Sequence, residues 1–434
     1  MYKQSEFVDN LKSYVGKNIF NNAIGALIDN NPFLRPIYDQ HLIDILGSKT
    51  RSEQLFLQRT LFNIYEHDLM FIPNTFEQEN DFKQFYASDI CQCAEVIRPQ
   101  IEQWVLEDVL LNDLKELNYN TTQMYEMFFE KIQQAKSAEV KLIKEITQSK
   151  NPIRALGYFL IQLAGDFLTE ASGMARNLPG NYGPMQSELF KIFIDEYGYG
   201  VHGTKHSTAY ERLLENQGLS SIPHTYWNYY LISSLAIHNY IHFICKNHRY
   251  FFRYVGALYY AEATYSDFCA KISKLIKDTC GNNAETFYFD EHYHIDQHHS
   301  RMVFDRLITP ITKQYNGMYN SDIIKGFMEF QYYLQWNEKE IIQHIKYVDN
   351  IDSFINTSSP KILETEGILY NLDQTFFSVT DRETQYEIKN GELTFCVDIQ
   401  GNKALSTGDT IIIPEGIQYG LVIHKPVKAI ITTL

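Results

Sequence analysis

Between residues 290 and 299 the chain reads Asp-Glu-His-Tyr-His-Ile-Asp-Gln-His-His, a run dense in groups that bind metal ions. In a helix, His292, Asp296 and His299 stand at i, i+4 and i+7, within about 60° of one another. Two imidazoles and a carboxylate on one helical face form a set of metal ligands. His294 and His298 point to other faces. Taken alone, such a stretch is more often a solvated helix face that happens to be rich in histidine.

Other parts of the chain supply groups of the same kind. Glu262 lies among Tyr259, Tyr260, Ala261 and Ala263, and Glu170 follows Phe167 and Leu168 in a similar apolar setting. A carboxylate placed there is costly unless it is hydrogen-bonded, paired or metal-bound. Glu196 and His206 bracket a segment punctuated by Gly198, Gly200 and Gly203. On an ideal helix they stand about 80° apart, and glycines that bend the backbone can bring them together. Four carboxylates and three imidazoles exceed the needs of one zinc ion. They suit two redox-active iron or manganese ions bridged by carboxylates inside a helical bundle. A ferritin-like site needs Glu-x-x-His on two helices, and only Glu291 with His294 has that spacing. His294 and Asp296 have the spacing of a two-histidine, one-carboxylate site, but that motif belongs on a strand. The Gly198–Gly203 spacing fits GxGxxG without the preceding strand of a nucleotide fold.

The elements that position these groups are mostly helical. Helix-period apolar residues run through 7–28, 42–45, 55–64 and 101–117, so region 1–148 is expected to be a helical packing or dimerisation region. Asn151 as N-cap and Pro152 at the first helical position open a helix expected to run through 155–175. Further helices are expected over 185–199, 206–217, 226–245, 250–276, 284–312 and 322–347, which makes 149–348 the metal-binding domain. A polar linker, 349–361, contains Thr357, Ser358, Ser359 and Pro360. From 362 to 434 the pattern changes to strands over 375–379, 385–388, 393–399, 410–413, 419–423 and 428–432. Turns at Asn390-Gly391, 400–402 and 414–416 punctuate them, which predicts a small sandwich or barrel.

Composition limits the partners. The chain has 434 residues, 44% hydrophobic and 14% aromatic, with a formal net charge of −15. That is a globular composition, and without a basic stripe nucleic acid is excluded as a partner. Such a surface favours small cationic substrates. Six cysteines without a CxxC pair suit reduced thiols in the cytosol. The first residues lack the apolar run of a signal peptide. The most apolar stretch, 229–245, is interrupted by Ser233, Ser234, His238, Asn239 and His242, so it is a buried helix and not a membrane span. A cytoplasmic protein without membrane contact is expected.

The order Asp195-Glu196-Tyr197-Gly198, then His206, then the isolated Glu262, then His292-x-x-x-Asp296-x-x-His299 resembles the haem-oxygenase-like diiron oxidases, the iron-containing redox enzyme family. The resemblance implies a haem-oxygenase-like helical bundle preceded by a helical region and followed by a small all-β cupin-like barrel. It implies metal ligation by Glu196, His206, Glu262, His292, Asp296 and His299, with Glu170 as the additional carboxylate of the N-oxygenating branch. It further implies two iron ions, dioxygen as cosubstrate, an external electron donor and a homodimer formed through the N-terminal helices. The reaction expected is N-hydroxylation of an amine or guanidine nitrogen of a small amino-acid-like metabolite. Oxidative C–C cleavage or decarboxylation is the alternative on the same metals, and a non-enzymatic metal-binding interaction protein is the third reading. The cupin part departs from the pattern. Gly408 to Tyr419 matches the second cupin motif, but Tyr419 stands where the metal histidine belongs, and Phe376-Phe377-Ser378 stands where the His-x-His pair belongs. A structural or ligand-binding role is therefore expected there, without the rearrangement that makes an N-nitroso group.

Overall fold

The computed structural model describes residues 4–17, 50–72, 79–107, 119–281, 283–356 and 367–434. The predicted helix over 42–45, the distal parts of 7–28 and 101–117, and the linker at 357–360 lie outside the described residues. The chain forms two compact units: Met1–Glu107 with Tyr226–Leu235 and Gln343–Leu434, and Asp108–Thr225 with Ala236–Ile342.

The first unit combines helices α1 (Gln4–Lys17), α2 (Arg51–Glu66), α3 (Glu79–Phe85) and α4 (Ser88–Glu102) with the C-terminal strands. Thr50 and Glu53 start α2 as a capping box, each accepting the other's backbone N–H. That end of the helix meets the sheet, where Ser52 Oγ lies 2.8 Å from Ser378 Oγ and Arg51 pairs with Glu415 at 2.8 Å. The strands are β1 (Ile355–Asn356), β2 (Ile368–Leu372), β3 (Phe376–Val379), β4 (Thr384–Cys396), β5 (Lys403–Ser406), β6 (Thr410–Ile413) and β7 (Gln418–Thr433).

Two expectations about this region need correction. The strands make an open seven-stranded antiparallel sheet, ordered β1-β6-β4-β7-β2 with β3 on β7 and β5 on β4, and not a closed barrel. The strands predicted over 385–388 and 393–399 are one strand, β4, and those over 419–423 and 428–432 are likewise one, β7. Asn390-Gly391 is not a turn. Both halves of β4 pair with β7, so the pair is absorbed as register shifts between Ile388 and Leu393. Gly391, at φ 104°, passes so close to Pro426 and Val427 that no side chain fits. The inner face is packed with aromatic rings. Tyr419 stacks on Phe395, with centroids 5.8 Å apart, and hydrogen-bonds the Tyr386 hydroxyl.

The second unit holds α5 (Thr121–Ser137), α6 (Lys141–Gln148), α7 (Pro152–Phe167), α8 (Pro184–Glu196), α9 (His206–Asn216), most of α10 (Ile232–Lys246), α11 (Phe251–Cys280), α12 (Phe287–Met302), α13 (Thr309–Gln314) and the first part of α14 (Asn320–Asp349). Asn151 caps α7 by accepting the Arg154 N–H, with Pro152 in the first turn. The helix stops at Phe167, short of the predicted 155–175 run, and Ala171 takes a left-handed φ of 63° before a short helical turn, Ser172–Ala175. Among the described residues no helix is long and apolar enough to cross a membrane.

Helices α11 and α14 cross at reciprocal glycines. A Cβ on Gly256 would overlap the Ile323 carbonyl, and one on Gly326 would overlap that of Arg253. Gly326→Ala is therefore expected to destabilise the fold by about 2–3 kcal/mol through overpacking against backbone that has no room to yield. Gly157→Ala is the control, because its Cβ would meet only Leu219 methyls at 3.9 Å. Urea unfolding midpoints should fall for Gly326→Ala alone.

Candidate metal centre

Helix α12 carries the opening motif as its spacing requires. His292, Asp296 and His299 are 4%, 2% and 0% exposed, whereas His294 and His298 face solvent. A π-helical segment, Val303–Ile308, follows directly, the kind of irregularity that helices often carry near functional sites. Facing this helix, Glu262 projects from α11 and is 8% exposed.

Glu196 is the last residue of α8. The chain then turns through Gly198, Tyr199 and Gly200, all with positive φ, and re-enters a helix at His206. Only glycine fits at 198, where a Cβ would lie 2.6 Å from the Lys205 nitrogen. This reversal sets Glu196 Oε2 at 2.6 Å from His206 Nδ1. Glu170 sits in the break between α7 and the Ser172–Ala175 turn, where backbone strain at Ala171 marks the site. Its Oε1 lies 3.2 Å from His292 Nε2 and accepts a hydrogen bond from the Tyr288 hydroxyl at 2.8 Å.

The donor atoms converge into two sets. Glu170, Glu196, His206 and His292 form one, and Glu196, Glu262 and His299 form the other, with the atoms of each set within 4.8 Å of one another. Glu196 belongs to both. Asp296 joins neither set, although it lines the same cavity.

The arrangement fits metal binding in three respects. Glu170 Oε2 and Asp296 Oδ1 are buried without a hydrogen bond, a state costly for polar atoms unless an ion takes their lone pairs. The donors are carboxylate oxygens and imidazole nitrogens without thiolates, which suits iron or manganese. The histidines are also oriented from behind. His292 Nδ1 faces the Tyr288 carbonyl at 2.8 Å, leaving Nε2 toward Glu170. His299 Nε2 donates to Asp195 at 2.9 Å, leaving Nδ1 at 3.4 Å from Glu262 and 3.5 Å from Glu196. Such partners fix the tautomer and raise the basicity of a ligating histidine.

Tyr288 and Asp195 are the residues that sequence reasoning missed. Tyr288 stands one turn before His292, which is an available signal. Asp195 stands in the quoted motif beside Glu196, but adjacency alone does not tell which carboxylate faces the ligands.

Charge in the metal-free site follows from this crowding. Burial pulls the His299 pKa down, but Glu262 and Asp195 outweigh it and push it up to about 11. His292 is likewise opposed by burial and raised well above its ordinary value by Glu170 and Asp296. Burial opposes ionisation of Glu196, yet His206 brings it down to about 2. Burial pushes Asp296 well up, with His292 opposing and Glu262 adding to the rise.

The signs give a testable pH dependence. The His299 contribution to metal-free stability is complete below about pH 6.5 and is lost as pH rises toward 11. The Glu196 contribution is complete above its ordinary pKa of 4.5 and is lost as pH falls toward 2. Ligation needs neutral imidazoles, so metal loading must release protons. Apparent Fe(II) affinity is expected to rise about tenfold per pH unit for each proton displaced, and about a hundredfold if both His292 and His299 give one up. Anaerobic titrations at pH 6, 7 and 8, with proton release followed in weak buffer, measure it.

A cavity of about 160 Å³ adjoins the donors. Its walls include Phe167, Met174, Leu258 and Phe330 together with Glu170, Glu196, Glu262, His292 and Asp296. Asp166 also lines it, and burial, with the charge of Glu170, pushes its carboxyl up to about 7.

Residues 157–331 match the model of a family described as "Iron-containing redox enzyme". The chain is also 38% identical over 355 residues to the nitrosourea synthase of Streptomyces achromogenes subsp. streptozoticus, covering 80% of this chain and 75% of that protein. Both matches span the described donors, from Glu170 to His299 in the first case, and the chain belongs to the haem-oxygenase-like, iron-containing redox enzyme family.

Proposed function

We propose that the chain is an O₂-dependent diiron oxygenase that hydroxylates an amine or guanidine nitrogen of a small amino-acid-like metabolite. The observation that carries this reading is the sharing of Glu196 between two donor sets. A single ion needs no second set, whereas two ions held by a common carboxylate need this geometry. Charge supports it as well. Glu170, Glu196, Glu262 and Asp296 supply four negative charges, the number that balances two divalent ions. A relative named for making a nitrosourea, a compound with an oxidised nitrogen, supports chemistry at nitrogen.

The redox chemistry with dioxygen would come from a pair of iron ions held by Glu170, Glu196, His206, Glu262, His292, Asp296 and His299, with electrons from an external donor. Overall, two electrons and two protons accompany O₂. One oxygen atom enters an N–H bond and the other leaves as water. The chain's own residues prepare the place. Tyr288 and Asp195 hold the imidazoles of His292 and His299 in the orientation ligation requires. The apolar side chains of Phe167, Leu258 and Phe330 line the cavity beside the donors. In the sheet, the Tyr419 and Tyr386 hydroxyls satisfy one another inside an aromatic core. We infer that the product leaves as the N-hydroxylated compound, without rearrangement to an N-nitroso group.

The test is anaerobic loading with Fe(II), metal counting, and an O₂ pulse with a panel of amines and guanidines. Two irons per chain and products one oxygen atom heavier are expected. Uptake that stops at one equivalent overturns the diiron reading. Loss of carbon dioxide or a carbon fragment in place of N–O products moves the assignment to C–C cleavage.

A further inference from the structure

Glu170 differs from the other members of the two donor sets in its backbone. Glu196, His206, Glu262, His292 and His299 all belong to helices, whereas Glu170 lies in the turn after α7, directly before the left-handed Ala171. A long side chain on a turn must give up its torsional freedom before it can serve an ion. Unless another group fixes it, that loss weakens the position it serves.

Tyr288 is placed to fix it. The residue stands in the first turn of α12 and is fully buried. Its ring packs against Phe167, Tyr210 and His292, with centroids 5.1, 4.9 and 4.4 Å away. Its hydroxyl donates to Glu170 Oε1 at 2.8 Å, and among the described residues that carboxylate is its one hydrogen-bond partner. A phenylalanine would fill the same space, so packing does not call for the oxygen. A buried O–H is costly unless an acceptor meets it, and here the acceptor is a metal donor. The bond engages Oε1 and leaves Oε2 buried without a hydrogen bond. One oxygen is thus tied to a long helix while the other is bare.

The tie is confined to one set. Glu170 belongs to the set with Glu196, His206 and His292, and not to that of Glu196, Glu262 and His299. The second set has its own outer partner, because Asp195 accepts from His299 at 2.9 Å. Each set is therefore supported from behind by a different side chain.

We propose that Tyr288 is a positioning residue for one of two metal positions, its hydroxyl holding the turn-borne Glu170 against the set that contains His206 and His292. The hydroxyl governs the filling of that position and leaves the other alone. The inference rests on the diiron reading and adds to it a group through which the two positions are adjusted separately.

The experiment is anaerobic titration of the full-length metal-free protein with Fe(II), comparing wild type with Tyr288→Phe. The substitution keeps the ring and its packing and removes only the oxygen. Wild type is expected to take up two irons. Tyr288→Phe should bind one with wild-type affinity and the second about 10–100-fold more weakly. A double-mutant cycle supplies the second measurement. In a Glu170→Ala background, Tyr288→Phe should change iron binding by less than about twofold, because the hydroxyl then has nothing to hold. Thermal unfolding of the metal-free variants separates positioning from packing, since a packing role lowers stability and weakens both irons alike. Unchanged iron binding, equal weakening at both positions, or the same loss with and without Glu170 overturns the proposal while leaving two irons in the wild type. A wild type that holds a single iron defeats the diiron reading and the selectivity with it. The hydroxyl's hold on Glu170 then survives only if that iron weakens at least tenfold in Tyr288→Phe.

Discussion

Glu196→Gln is expected to empty both halves of the site at once. Glu196 is the donor common to the two sets, so its loss removes a ligand from each. An amide in its place is neutral, leaves the buried imidazoles of His206, His292 and His299 short of one anion, and cannot bridge two ions through a delocalised carboxylate. Outer partners of a metal site already change affinity by about 10–100-fold, so a shared ligand should cost at least about 100-fold in affinity and activity. The diagnostic feature is the pattern. Glu262→Gln touches only one set and Glu170→Gln only the other, so each should retain about one iron, whereas Glu196→Gln should retain almost none. Metal analysis after gel filtration decides it, and equal losses in the three variants would contradict a shared Glu196.

Asp195→Asn should lower metal affinity by about 10–100-fold without touching a ligand. Asp195 accepts the Nε2–H of His299, and that bond leaves Nδ1 bare toward Glu196 and Glu262. Burial alone would raise the Asp195 pKa, but hydrogen bonds from His299 and Tyr199 outweigh it and hold the carboxyl below its ordinary value. The residue is therefore an anion across the pH range in which iron would bind. Asparagine loses the charge and can present its NH₂ to the ring, which favours the tautomer with hydrogen on Nδ1 and so blocks ligation. A purely structural role predicts lower thermal stability with normal iron affinity. The positioning role predicts weak iron binding beyond the loss of metal-free stability that breaking the buried His299–Asp195 pair brings.

How much of this site was legible in the sequence depends on the range of the signal. The 292/296/299 set lies on a single helix, and a periodicity of 3.6 residues determines which side chains share a face. Burial of those three, with His294 and His298 exposed, follows from backbone geometry alone. The meeting of Glu196 with His206 was visible as glycines between them, because only glycine enters the conformation at 198 that turns the chain back. Glu170 was visible as a carboxylate in an apolar stretch, but not its backbone. The sequence around it is fully helix-compatible, and the break after Phe167 with its strained Ala171 comes from tertiary packing that outweighs local propensity.

The same division holds in the strands. Alternation and turn residues marked where β structure lies. Asn390-Gly391 carries a hairpin signal, yet it sits inside β4 because pairing along the whole of β7 outweighs the local preference for a turn. Closure of the sheet was likewise beyond a local pattern, since it depends on which edges meet. By itself the sequence carried the carboxylates and imidazoles, the helical phases of those in the 292–299 run, and the acidic net charge of −15. Tertiary structure alone decided that Glu196 serves two donor sets, that Asp296 stands beside them, that the Tyr288 hydroxyl meets Glu170, and that Asp195 aims the His299 imidazole. The physical reason is distance. Periodicity relates residues a few positions apart, whereas contacts such as His299–Asp195 and Tyr288–Glu170 join residues 104 and 118 positions apart through helix crossings that no short stretch encodes.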